Sequence, residues 1–183
     1  MSQLTDDEPT RTTPEAGWWR KLLGPGRFTV LVVILLLAAA AAYLGIRAVT
    51  LSRQATALAA ERSEALSDAA RYAVDLTTYD YRDLNAEFTT IAAESTPGYA
   101  AQYQSASTAK AGQLRADHSV SRGTVVTVGL ERETPGRSAD VLVLVNQSIT
   151  NTSTPSPQLE RSELRITLTR SGDRWLIGDL VLL

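Results

Sequence analysis

Three hydrophobic patterns follow one another along the chain. From Phe28 to Ile46 the run FTVLVVILLLAAAAAYLGI carries no charge and is bracketed by Arg27 and Arg47. As a helix it is about 28 Å long, close to the ~30 Å of a bilayer's hydrocarbon. Leu, Ile, Val and Phe make up most of the run. At roughly −0.3 to −0.6 kcal/mol each near the bilayer centre they favour insertion by a few kcal/mol. Backbone groups in lipid must pair internally, so a single span through Phe28, Leu36 and Ile46 is helical.

After Ile46 no Gly or Pro interrupts the chain until Pro97, and the apolar positions become periodic. Leu51, Ala55, Leu58, Ala65, Ala69, Ala73 and Leu76 recur at helical spacing, with charged residues on other faces. The spacing predicts a helical stalk over 47–60 that becomes the first helix of a domain over 61–183. The stalk's alanines suit close approach of a second stalk or packing on its own domain. The pattern restarts after the stretch TTYDYRDLN, with Tyr81, Leu84, Phe88 and Ile91 on one face. Asp80 then reads as the N-cap of a second helix, Tyr81 as part of its buried face and Tyr79 as the end of the first. A proton donor set beside a proton acceptor is the reactive alternative. A third helix is predicted from Pro97, capped by Thr96, to about Asp117.

The period then changes to two. Residues 123–133, 139–150, 158–169 and 174–183 are β-branched and apolar, separated by the turn signals TPGRS, NTSTPSP and SGD. The run from Val141 to Val145 is apolar on both faces, so it is expected to be the most central strand, with Val143 in the core. In the last run Trp175, Ile177 and Leu180 are the expected core side chains. Short links favour antiparallel neighbours, which gives an α+β domain of three helices followed by a four-stranded antiparallel sheet.

The flanks of the apolar run bear on topology. Residues 1–17 are polar without period. Trp18, Trp19, Arg20 and Lys21 have the composition of a membrane-interface belt, so residues 1–27 read as a cytoplasmic tail. A cleaved signal peptide is the rival, but the run exceeds the usual 7–15 apolar residues and its leader carries Asp6, Asp7, Glu8 and Glu15. Arg11, Arg20, Lys21 and Arg27 precede the span and Arg47, Arg53 and Arg62 follow it. This slight excess places the tail inside and the domain outside.

Composition removes several chemistries. The net charge of −2 offers no basic field for nucleic acid, and cysteine is absent. His118 is the single histidine, at a helix-to-strand junction, so a histidine-rich metal site has no ligands. Phosphate-cradling and serine-hydrolase motifs are missing. No catalytic residue, cofactor or metal is expected, and the chain reads as a non-enzyme.

The span, the stalk, TTYDYRDLNAEFTTI, ADVLVLVNQSITN and the terminal RITLTRSGDRWLIGDL together resemble the Mce-associated membrane proteins, single-span partners of bacterial lipid-import systems. Tyr79, Asp80, Tyr81 and Arg82 fit that family's helix joint, and Trp175, Ile177 and Leu180 fit its last strand. The resemblance covers residues 28–183. It implies an NTF2-like cone, in which a curved sheet wraps the long helix. It also implies an accessory or scaffold subunit, with the bilayer and an Mce-type transporter or related envelope proteins as partners. A tethered module sheltering an apolar lipid is the first alternative. An isomerase- or hydratase-like enzyme and a secretion-system inner-membrane component are the others.

Overall fold

The computed structural model describes residues 25–183, with side chains from Thr29 onward. The tail and the interface residues Trp18, Trp19, Arg20 and Lys21 lie outside the described residues, as does the side chain of Phe28. The chain divides into two units, one ending at Arg53 and the other running from Gln54 to Leu183.

In the first unit the backbone is helical from Pro25, the start of α1 (Pro25–Thr77). None of its most apolar stretch is buried. Leu36 is 65% exposed and Ile46 equally so, within a continuous series of exposed Val, Ile and Leu. A contiguous apolar surface of this extent is compatible with a single-pass membrane anchor. The exposure also separates it from the core helix of a soluble protein.

In the second unit α1 ends at Thr77 and is followed by β1 (Tyr79–Asp80), α2 (Leu84–Ala93), α3 (Pro97–Ala116), β2 (Val120–Thr134), β3 (Ser138–Thr150), β4 (Gln158–Ser171) and β5 (Arg174–Leu182). The strands form one open antiparallel sheet in the order β1-β2-β3-β4-β5. The fold is therefore α+β with five strands rather than the four expected. The four period-two runs all become strands, and β3, apolar on both faces, is the middle one.

One face of the sheet carries the core. Ala139, Val141, Val143 and Val145 of β3 align with Leu164, Ile166 and Leu168 of β4, and Trp175 and Ile177 follow on β5. Ala65, Ala69, Tyr72 and Ala73 of α1 join the same cluster. The small alanines leave room for two bulky groups, Tyr72 and Trp175, each about 1% exposed. Val143 and Ile177 are fully buried, and Leu180 packs at the margin. The stripe read from Leu51 onward contributes to the core only from Ala65, since Leu51 is 61% exposed and Ala55 is exposed.

The joint after α1 departs from expectation. Tyr79 and Asp80 do not close one helix and cap the next. Their backbones pair with Ser121 and Val120 as an edge strand. The chain then turns, and the residue before α2 is Asp83, whose side chain makes no capping bond. Asp80 does not cap because it lies in the edge strand, four residues before α2 begins; its carboxylate instead accepts from the Arg82 amide at 3.0 Å and from its Nε at 2.8 Å. Tyr81 lies in the turn, half-buried, rather than on the face of α2. Leu84 and Ile91 are the buried residues of that helix. Thr96 does cap α3, accepting from the Tyr99 amide at 3.4 Å, and Pro97 stands at the first helical position.

Candidate functional site

Two places in the second unit gather polar side chains: the YDYR joint and the seam where α2 meets α1. At the joint, Arg82 forms an ion pair with Asp80 in addition to the contacts above. The guanidinium and amide of Arg82 hold the Asp80 carboxyl down at a pKa of about 2. Arg82 also lies 5.7 Å from the centre of the Tyr81 ring. The Tyr81 ring also stacks on His118, with centroids 4.7 Å apart. His118 has a left-handed backbone, φ 50°, at the exit of α3, and the Tyr81 amide donates to the Ser119 carbonyl at 3.0 Å. The four motif residues thus form a brace between the end of α1, the start of α2 and the turn into β2. Tyr79 is half-buried, and burial, with Glu160 nearby, pushes its phenol up.

The joint is tied to α1 by a buried polar network. The Ser121 hydroxyl donates to the Thr77 carbonyl at 2.7 Å, and the Thr77 hydroxyl donates to the Ala73 carbonyl at 2.5 Å. The Gly123 amide, partly buried, donates to the Thr78 hydroxyl at 3.1 Å. Gly123 is required here, since a Cβ would stand 1.9 Å from the Thr77 hydroxyl oxygen.

At the seam, Arg71 of α1 serves three carboxylates. It pairs with Glu94 just past α2, with Asp68 at 3.3 Å and with Asp75 at 3.8 Å, and it lies over the Tyr72 ring. Burial opposes the charge on Arg71, but the hydrogen bond and charge of Glu94 hold it protonated, with a raised pKa. Burial raises the Glu94 carboxyl despite that partner. Glu87 of α2 accepts from the Asp80 amide at 2.9 Å through Oε1. It lines a cavity of about 200 Å³ with Asp75, Thr78 and Thr90. The role of Glu87 was not legible from spacing, since it reaches seven residues back to a strand amide rather than along its own helix.

The core residues Val143, Trp175 and Ile177 fill the face of the sheet that carries α1. The Tyr72 hydroxyl donates to the Trp175 carbonyl at 2.5 Å, and Arg170 lies 5.2 Å from the Trp175 ring while pairing with Glu64. Among the described residues Thr77, Ser95, Ser107, Ser119 and Ser121 are the polar residues buried as a whole, while Glu87 and Glu94 each bury one carboxylate oxygen. Clefts of about 430 and 490 Å³ run along α1, and both are lined by Ala60 and Glu64. Among the described residues, no group of three or more His, Cys, Asp or Glu side chains is placed to hold a metal ion. The contacts at the joint and the seam brace the elements they connect.

Comparison with known proteins gives one family and a fold. Residues 27–179 match the model of the family described as "Uncharacterized protein Rv1363c/MT1408-like". No curated protein matches the chain. Among solved structures, the periplasmic domain of DotI is similar at a TM-score of 0.58 and 16% identity, over 66% of this chain and 94% of that one. At that identity the likeness speaks for the fold alone. The intermembrane-space region of the chloroplast protein ARC6 overlaps at a TM-score of 0.33 and 12% identity, over 45% of this chain and 69% of that one.

Proposed function

The chain belongs to the Rv1363c/MT1408-like family, and from that premise we propose a membrane-anchored accessory subunit that assembles or stabilises an Mce-type lipid-import complex through its exported domain. The observation that carries the reading is α1, a single helix whose early part is apolar and unburied and whose later part lies in the core of the second unit. A protein built this way presents a folded unit from a fixed anchor. The tail faces the cytoplasm in this reading and the domain lies on the envelope side, in keeping with the slight excess of basic residues before the span. The sheet and α1 then form the NTF2-like cone that the resemblance to Mce-associated proteins implies.

The filled core favours this role over that of a lipid carrier. Val141, Val143, Val145, Ile166, Leu168, Tyr72 and Trp175 occupy the face where a concave sheet would shelter an apolar ligand. The test is affinity purification of the full chain in mild detergent, paired with lipid uptake in a deletion strain. Co-purification of transporter subunits and reduced uptake is the expected result. A lone monomer with unchanged uptake overturns the proposal, an apolar lipid bound within the exported domain itself transfers the role to the tethered lipid module, and recovery with secretion proteins transfers it to that class.

A further inference from the structure

We propose that the α1–α2 seam is a proton-operated latch: Glu87 takes up a proton as the surroundings acidify and thereby holds α2 more firmly against α1. The inference does not rest on the accessory role. Its starting point is an unbalanced group. Glu87 Oε1 accepts the Asp80 amide, but Oε2 is buried with no hydrogen-bond partner. A buried carboxylate oxygen without a donor is costly, because the water it gave up has not been replaced.

Among the described residues, the charged side chains set against Glu87 are acidic. Facing Glu87 are Asp75 of α1, Asp80 of β1, Asp83 of the turn and Tyr103 of α3, with Thr78 and Thr90 completing the cavity. Arg82 is committed to Asp80, and Arg71 to Asp68, Asp75 and Glu94. Glu94, two turns further on at the end of the helix, repeats the situation in milder form. Its own Oε2 is buried and unpartnered, but Arg71 pairs with its other oxygen and Arg174 lies nearby.

Protonation resolves the imbalance. A neutral Glu87 carboxyl becomes a donor and shares its cavity with the Asp75 carboxylate and two hydroxyl oxygens, all of which can accept. Burial, with the charges of Asp80 and Asp83, raises its pKa above the ordinary carboxylate value while α2 is docked. When α2 swings into water the ordinary value returns. The docked state therefore binds the proton more tightly, so docking strengthens as pH falls through the raised pKa and the gain is complete below the ordinary range.

The experiment measures amide hydrogen exchange of the full-length protein in lipid nanodiscs, from about pH 7.5 to about pH 4, with protection corrected for intrinsic rates. Protection of the α2 amides is expected to rise on acidification in the parent. Glu87→Gln keeps the acceptor for Asp80 and adds a permanent donor, so it should be protected at both ends with the pH response lost. Asp83→Asn, an exposed change that removes one repelling charge, should move the midpoint of the rise to lower pH. Parent protection that is flat or falls on acidification overturns the latch, as does a Glu87→Gln protein that keeps the full rise or an Asp83→Asn midpoint that stays in place.

Discussion

Gly123→Ala tests the contact on which the end of α1 depends. The added methyl would sit 1.9 Å from the Thr77 hydroxyl oxygen and 2.9 Å from its Cβ, so something must move. If Thr77 rotates, it gives up its bond to the Ala73 carbonyl. If β2 withdraws, the Gly123–Thr78 and Ser121–Thr77 bonds open together. Overpacking costs about 1–3 kcal/mol, and each hydrogen bond lost adds about 1 kcal/mol. Against this stands a gain of about 0.4–1 kcal/mol from a stiffer unfolded chain. The net expectation is a loss of about 2–3 kcal/mol, read by urea unfolding of the full chain in mild micelles, followed by near-UV circular dichroism. Adding Thr77→Ala removes the obstacle, so the double variant should recover about half of that loss. A Gly123→Ala protein within about 0.5 kcal/mol of the parent, or a double variant whose losses merely add, would refute the packing account.

Four further outcomes follow from the same contacts. Tyr72→Phe leaves the Trp175 carbonyl without its buried donor and should cost about 1–3 kcal/mol in the same unfolding assay; a neutral result would mean that water replaces the hydroxyl. Trp175→Ala, at 1% exposure, should cost about 3–5 kcal/mol, and a loss under about 1 kcal/mol would contradict its place in the core. Leu36→Arg places a charge in the middle of the apolar run at about 2.5–3.5 kcal/mol and should lower the membrane-retained fraction after alkaline extraction; unchanged retention would argue against a spanning helix. Asp80 should titrate near pH 2 by carboxyl NMR. Because its pKa is depressed, any stability it lends is present above the ordinary carboxylate value and is lost only as pH falls through about 2, so a midpoint near 4 would break the assignment.

Much of the second unit was legible because period and burial coincide. In β3 the buried residues alternate with half-buried ones, and a paired neighbour on either side makes it the middle strand. The cap of α3 was legible because Thr96 and Pro97 act locally. The joint was not. Tyr79-Asp80 can end a helix, cap one or pair at a sheet edge, and the choice was made by Ser121 and Val120, some forty residues away in sequence. Once the backbone of Asp80 joins β2, its carboxylate faces Arg82, and Asp83 takes the place before α2 without its side chain capping it.

The same distinction governs the candidate site. Arg71 with Asp68 and Asp75 could be read from helical spacing, but its partner Glu94 lies on another element. Glu87 carries no periodic signature, because its significance is the absence of a donor at one oxygen, and absence is a property of packing. Apolar periodicity records which faces avoid water. It does not record which polar atoms, once carried inside by those faces, find a partner. The joint motif TTYDYRDLN consequently reads as a cap from local preference and becomes a brace in the fold. The side chain with the most unsettled chemistry is Glu87, just beyond the motif, fixed to the Asp80 amide by one carboxyl oxygen and without a partner at the other.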